Sequence, residues 1–225
     1  KQALLTSLGL PYVEGVPVIG IVSRLAGQKG FGLLQPTMFE LLRQHGFQLV
    51  VLGSGEPALE DMFTRMQREF PRQVCFFNGF QNKLAHLIEA GADMFLMPSV
   101  YEPCGLNQMY SLRYGTVPIV RATGGLVDTV EPWDAATGSG TGFRFEHADG
   151  TGLVWALDHA LAEGRCVYLH CRAGIGRTNL VAGCWIASSG GDGEAALERL
   201  NRAWAGNARS RSWTRIPETA AQADF

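Results

Sequence analysis

Short runs of almost unbroken apolar residues recur at 18–23, 48–52, 74–77, 94–97 and 117–120 of this 225-residue chain. Each is four to six residues long and bounded by Gly, Pro or polar residues, which is the form of a strand buried on both faces. A sheet with one wet face would alternate apolar and polar residues instead. Between the runs lie stretches of helical spacing. Pro36 opens one and Gly46 closes it, as Pro suits a first turn and Gly a C-terminal cap. Others cover 57–69, 82–90 and 106–114. Strands alternating with helices give an α/β fold, a parallel sheet with helices on both faces. Residues 142–145 add a short strand and 152–163 a helix. Further on, 166–170 reads as a strand, and 177–189, 194–204 and 217–225 as helical. Residues 1–17, broken by Gly9, Pro11, Gly15 and Pro17, read as a lead-in.

The totals close off several function classes. The chain is 46% hydrophobic and 18% charged with net charge −2, so nothing global points to nucleic acid or a membrane surface. No apolar stretch approaches the roughly 20 residues that span a bilayer. Five cysteines without a Cys-x-x-Cys pair argue against a disulfide framework or a metal site, and for a reducing compartment, the cytoplasm. No cofactor is called for. The start, Lys1-Gln2-Ala3-Leu4-Leu5, is no signal peptide and is expected to be the interior of a longer chain.

The chemistry concentrates where strands run into glycine-bearing turns. The run at 94–97 leads into a loop carrying one carboxylate, Glu102. The run at 117–120 leads into Thr123-Gly124-Gly125. Two such turns side by side make a crevice at the carboxyl edge of a parallel sheet, where open α/β sheets bind ligands. Arg24 and Lys29 follow the first strand at the same edge, and two cations beside a helix N-terminus suit a diphosphate. The plainer alternative is a pair of exposed loop cations. Glu102 stays open between sugar-hydroxyl acceptor, general base and surface carboxylate, and its residue type alone favours the surface. Cys104 reads as a small packed residue without reactivity. The Gly53-Ser54-Gly55 turn is weak evidence for anything.

Four motifs, in order, carry a resemblance: Ser23-Arg24-Leu25-x-x-Gln28-Lys29-Gly30; Tyr101-Glu102-Pro103-Cys104-Gly105-Leu106-Asn107-Gln108; Arg113-Tyr114-Gly115-Thr116-Val117-Pro118; and Thr123-Gly124-Gly125-Leu126-x-Asp128-Thr129-Val130. Residues 1–161 resemble the C-terminal, Rossmann-like half of bacterial glycogen synthase and plant starch synthase. The resemblance implies a domain that binds ADP-glucose or ADP for retaining elongation of an α-1,4-glucan. Arg24 and Lys29 would hold the diphosphate and stabilise departing ADP, and Glu102 would contact the donor glucose. The backbone of Cys104, Gly105 and Leu106 would lie beside it, and Thr123, Gly124 and Gly125 near the phosphates. Phe80 stands where the family has an adenine-stacking aromatic, usually Tyr. The acceptor groove belongs to the family's N-terminal domain, outside this sequence, so donor binding without transfer is the expectation, and α-glucan engages only once that domain is supplied. A starch synthase parent would place the protein in a plastid.

A second pattern, His170-Cys171-Arg172-Ala173-Gly174-Ile175-Gly176-Arg177-Thr178, follows the strand at 166–170. Five residues between Cys and Arg let successive amides of Arg172, Ala173, Gly174, Ile175 and Gly176 curl around one phosphate or phosphoester. Those dipoles favour a Cys171 thiolate nucleophile. Arg177 would grip phosphate oxygens bidentately, and Thr178 would donate to the leaving sulfur. Residues from about 157 to 225 resemble the C-terminal part of dual-specificity and tyrosine-type protein phosphatases, with Asn179 where Gly is usual. That family's general-acid Asp precedes this strand. Trp133-Asp134 lacks its context, and Asp149 and Asp158 are no better, so both sites are expected to be incomplete.

Residues 163–225 carry 8 Lys+Arg and 6 Asp+Glu, against 11 and 15 over 1–162. That shift, with 152–166 fitting both resemblances, puts the expected boundary at 161/162. The reading is a composite chain: a nucleotide-sugar domain at 1–161 and a phosphatase-like strand–loop–helix segment at 162–225 extending the same sheet.

Overall fold

The structure is a computed structural model. It describes residues 1–163, all within one compact unit, Lys1–Tyr168. The elements expected beyond residue 163, with the Cys171 loop, lie outside the described residues.

Six parallel strands form one sheet: β1 (Val18–Val22), β2 (Gln48–Gly53), β3 (Val74–Asn78), β4 (Met94–Met97), β5 (Val117–Arg121) and β6 (Phe143–Phe145). Their order across the sheet is β3-β2-β1-β4-β5-β6. The helices are α1 (Gln2–Ser7), α2 (Met38–Gln44), α3 (Pro57–Glu69), α4 (Asn82–Gly91), α5 (Asn107–Tyr114), α6 (Gly125–Thr129) and α7 (Gly150–Glu163). This is the doubly wound order in which the chain reverses direction between β1 and β4. β1 stays paired with β2 as far as Val22↔Leu52, but its pairing with β4 ends at Gly20↔Phe95. The carboxyl ends of β1 and β4 are therefore free of each other, and the crevice opens there.

The apolar runs fold as strands covered on both faces because their alternate residues serve two separate cores. Ile19, Ile21, Leu49, Val51, Met94 and Leu96 pack with Phe31, Leu41, Phe63 and Leu157 on one face. Val18, Val22, Val50, Leu52, Phe95 and Met97 pack with Leu4, Leu5, Ile88 and Leu126 on the other. Successive side chains of a strand point to opposite faces, so every position of β1 and β2 is buried. Each fully buried Leu, Ile or Phe contributes roughly 1.5–3 kcal/mol of apolar transfer. In α3 the buried residues are Leu59, Met62, Phe63 and Met66, one face of a helix opened by Pro57.

Three expectations need correction. The lead-in contains α1, whose Leu4 and Leu5 are fully buried; the breakers after it had masked this short helix. α2 starts at Met38 rather than Pro36, after a 3₁₀ turn at Phe31–Leu34. Double coverage also fails at β3, an edge strand whose residues grow more exposed toward Asn78. There the amide of Phe76 donates to Gln67 Oε1 (2.6 Å), so a side chain blocks part of the open edge. Among the described residues no helix is long and apolar enough to cross a membrane.

Candidate active site

The loops after β1, β4 and β5 meet at the open end of the β1/β4 crevice. Gly30 has φ +73°, and a Cβ there would stand 1.9 Å from the Pro98 carbonyl oxygen. Only glycine brings the Lys29 loop so close to the loop after β4. The Gln28 carbonyl accepts the Val100 amide at 2.9 Å, and Gln28 Nε2 donates to the Tyr101 carbonyl at 3.2 Å. On the other side Gly124 has φ +46°, and its Cβ would meet the Glu102 carbonyl at 2.1 Å. The Gly125 amide donates to the carbonyls of Glu102 and Pro103, both at 3.1 Å. The loop carrying Glu102 is thus held between two glycine turns, and the Gly125 amide serves that bracing. The side chain of Asn107 ties α5 to the end of β1 by donating to the Val22 carbonyl at 2.8 Å.

At the centre, Lys29 Nζ sits 2.6 Å from Glu102 Oε2, with side-chain exposures of 20% and 10%. Ser99 Oγ donates to the same oxygen at 3.1 Å. The expectation of a surface carboxylate is overturned: Glu102 is buried because an ammonium and a hydroxyl satisfy it there. A desolvated pair holds only with such added partners. Lys29, Ser99, Glu102, Leu106 and Asn107, with the ends of β1 and β4, line a cavity of about 90 Å³. Cys104 is exposed rather than packed, and Leu106 is exposed as well. Among the described residues the amides of Gly105, Leu106 and Asn107 have no acceptor. They form the uncapped N-terminus of α5, a donor-rich, electropositive rim beside the carboxylate.

The remaining predicted residues fall on the same edge at varying distance. Arg24 is exposed just past β1 and does not line the cavity. Thr123 Oγ1 reaches the Val100 carbonyl at 3.5 Å. Phe80 is 75% exposed beyond β3, two strands from β1 and so roughly 10 Å across the edge at the usual strand spacing. Cys171, Arg172, Ala173, Gly174, Ile175, Gly176, Arg177 and Thr178 lie outside the described residues.

The Gly53-Ser54-Gly55 turn is structural. Its Gly55 amide donates to Glu60 Oε1 (2.7 Å), and Asn78 donates to Glu60 Oε2 (2.9 Å). These bonds hold the Glu60 carboxyl below its ordinary range. Asp134 is likewise committed, its carboxyl lowered by bonds from Thr137 and Ala136. Residue-by-residue reading missed Arg121, at the end of β5. It also missed Gln108, a buried amide donating to the Cys104 carbonyl (3.2 Å) and Thr129 Oγ1 (3.0 Å). The available signals were an arginine ending an apolar strand and a glutamine inside a glycine-bounded loop. Among the described residues, no three His, Cys, Asp or Glu side chains come together to hold a metal.

Several known proteins resemble this chain in sequence and fold. The glycogen synthase of Koribacter versatilis is 53% identical over 161 residues, 72% of this chain and 33% of that protein. That of Anaeromyxobacter sp. (strain K) is 55% identical over 159 residues, 71% of this chain and 33% of that protein. The catalytic domain of starch synthase IV from Arabidopsis thaliana, bound to ADP and acarbose, superposes with a TM-score of 0.66 at 37% identity. That match covers 73% of this chain and 35% of the other. The C-terminal domain of the group 1 glycosyl transferase LpcC from Francisella tularensis shares the fold, with a TM-score of 0.57 at 16% identity. It covers 74% of this chain and 85% of that domain. The chain spans about a third of the length of the glycogen synthases it matches. The family profile described as "Glycosyl transferases group 1" matches residues 10–169, and the chain belongs to that family.

Proposed function

We propose that residues 1–161 are the donor half of an α-1,4-glucan synthase and bind ADP-glucose or ADP at the β1/β4 crevice. In this reading Lys29 and Arg24 hold the diphosphate and stabilise the charge that develops on departing ADP. Glu102 accepts from the donor glucose. The amides at Cys104, Gly105 and Leu106, with Thr123, Gly124 and Gly125, line the phosphate and sugar positions. Phe80 stacks on the adenine. The observation that carries the reading is the Lys29–Glu102 pair at the switch point, where a cation for phosphate and a carboxylate for sugar share one cavity. ADP is the nucleotide named because the starch synthase IV structure contains it. Transfer to an α-glucan needs the second wall of the cleft, so the role proposed for residues 1–161 by themselves is donor binding. Its place of action is the cytoplasm, or a plastid for a starch synthase parent. Calorimetry with ADP tests this. Saturable binding, weakened about tenfold or more in Lys29→Ala, is expected from loss of a charged partner. Equal affinity in the two proteins would refute the assignment.

A second reading rests on the sequence His170-Cys171-x5-Arg177-Thr178. Here residues 162–225 are a phosphatase-derived segment joined to the first in a composite chain, and Cys171 attacks an activated phosphoester. Hydrolysis of an activated aryl phosphate, blocked by vanadate and lost in Cys171→Ser, is the expected result. Absence of turnover removes this reading, and silence in both assays leaves a composite scaffold without activity.

A further inference from the structure

The best-connected side chain at the loop carrying Glu102 is Arg121. Its Nε donates to the Ser99 carbonyl at 2.8 Å, one Nη donates to the Val100 carbonyl, and the other reaches the Glu146 carbonyl at 3.5 Å. One guanidinium thus ties the end of β5 to the loop carrying Glu102 and to the segment between β6 and α7. The acceptors are all main-chain oxygens. Among the described residues no carboxylate pairs with Arg121, and the Glu146 carboxylate lies instead toward Arg144 at 3.8 Å. Carbonyls orient a guanidinium without cancelling its charge. Lysine cannot replace it, because the planar fork of donors in fixed directions is what spans neighbouring carbonyls. The two residues it holds directly, Ser99 and Val100, precede Glu102 by three and two positions. Ser99 also supplies the hydroxyl that satisfies Glu102.

We propose that Arg121 is a positioning residue that locks the Glu102 loop in its ligand-ready form. The ligand half rests on the donor-binding reading above; the loop half does not. Without the guanidinium, the Ser99 carbonyl loses its donor and the Val100 carbonyl keeps only the long contact from Thr123 Oγ1, the Val100 amide's bond to Gln28 loosens, and the Glu102 carboxylate loses its fixed place opposite Lys29. The crevice then presents a carboxylate that wanders.

The test compares the full chain with Arg121→Ala and Arg121→Lys by hydrogen exchange and by calorimetry with ADP. The expected result is amide exchange about tenfold or more faster across 98–104 in both variants, with β1 and β2 amides unchanged. ADP affinity falls about tenfold in Arg121→Ala, and Arg121→Lys recovers less than half of the loss. Added guanidinium ion restores part of the slow exchange in Arg121→Ala, which a purely structural loss would not allow. Unchanged exchange at 98–104 overturns the positioning role. Faster exchange with unaltered ADP affinity overturns the ligand role. Faster exchange in a chain that binds no ADP even as wild type removes the donor-binding reading and the ligand role with it, while upholding the lock. Uniformly faster exchange, including β1 and β2, overturns the proposal in favour of general destabilisation.

Discussion

The turns after β2 and after β4 look alike in sequence, each an apolar strand running through glycines into a helix. They differ in what becomes of their polar groups. After β2, the Gly55 amide is taken by Glu60, while Glu56 and the Ser54 carbonyl accept from the loop after β1, from the amides of Gly27 (2.8 Å) and Leu25 (2.9 Å). After β4, the amides of Gly105, Leu106 and Asn107 have no acceptor among the described residues, and a lysine–glutamate pair sits largely out of water beside them. A helix N-terminus recruits an anion when nothing inside the protein has already filled it. Neither α3 nor α5 has a side-chain cap, but Glu60 in the first turn of α3 takes the Gly55 amide just before that helix, whereas the first turn of α5 carries no acidic residue. Glycine marks both turns; three consecutive uncommitted amides beside a desolvated ion pair mark only the second.

Four perturbations would break or sharpen this contrast. The largest effect is expected at Lys29. In Lys29→Ala the Glu102 carboxylate, 8% exposed, loses its counter-ion, which costs about 3 kcal/mol, the low end for a broken buried pair. Urea unfolding reads this directly. The double variant Lys29→Ala/Glu102→Ala should recover most of the loss, and equal destabilisation of single and double would deny the coupling. Next is Gly124→Ala, which forces a Cβ against the Glu102 carbonyl at positive φ and is expected to cost roughly 1–3 kcal/mol. Gly32→Ala, where a Cβ meets nothing within 4 Å, serves as the control within about 0.5 kcal/mol. If the two cost the same, the brace is not at Gly124.

At the β2 turn, Glu60→Gln tests commitment through pH. The Glu60 carboxyl is lowered chiefly by the Gly55 amide and then by Asn78. A depressed folded value means its contribution is present above the unfolded value near 4.5 and lost as pH falls through the folded one. Wild type should exceed Glu60→Gln in thermal stability at neutral pH, with the gap closing below about pH 4, while ADP binding stays unchanged. A gap that widens in acid would reverse the assignment. The smallest effect is chemical. Cys104 is exposed, whereas burial pushes the Cys75 thiol up. Alkylation mapped by mass spectrometry should mark Cys104 before Cys75, with ADP slowing only Cys104. Protection of Cys75 by ADP would place the ligand elsewhere.

The sheet was legible because burial on both faces leaves unbroken apolar runs, and β1, β2, β4 and β5 lie where those runs predict. β3 reads the same in sequence yet is half exposed, since edge position depends on strand order, which no local pattern carries. The nearness of Lys29 to Glu102 followed from both standing at the carboxyl edge. The burial of Glu102 did not, because it depends on two partners, one of them 73 residues away in sequence. Arg121 was illegible for a related reason: its acceptors are main-chain carbonyls, and a carbonyl has no letter in a sequence. The exposure of Cys104 was missed because small size was taken for packing.

The central claim is that the end of the β1/β4 crevice is an anion site whose charge resides on Lys29. Titrating the 225-residue chain with ADP in a calorimeter, beside Lys29→Ala and Glu60→Gln, tests it most directly. The account predicts saturable binding in wild type and Glu60→Gln alike, weakened about tenfold or more in Lys29→Ala. Binding that survives Lys29→Ala unchanged, or heat absent from the wild-type titration, would contradict it.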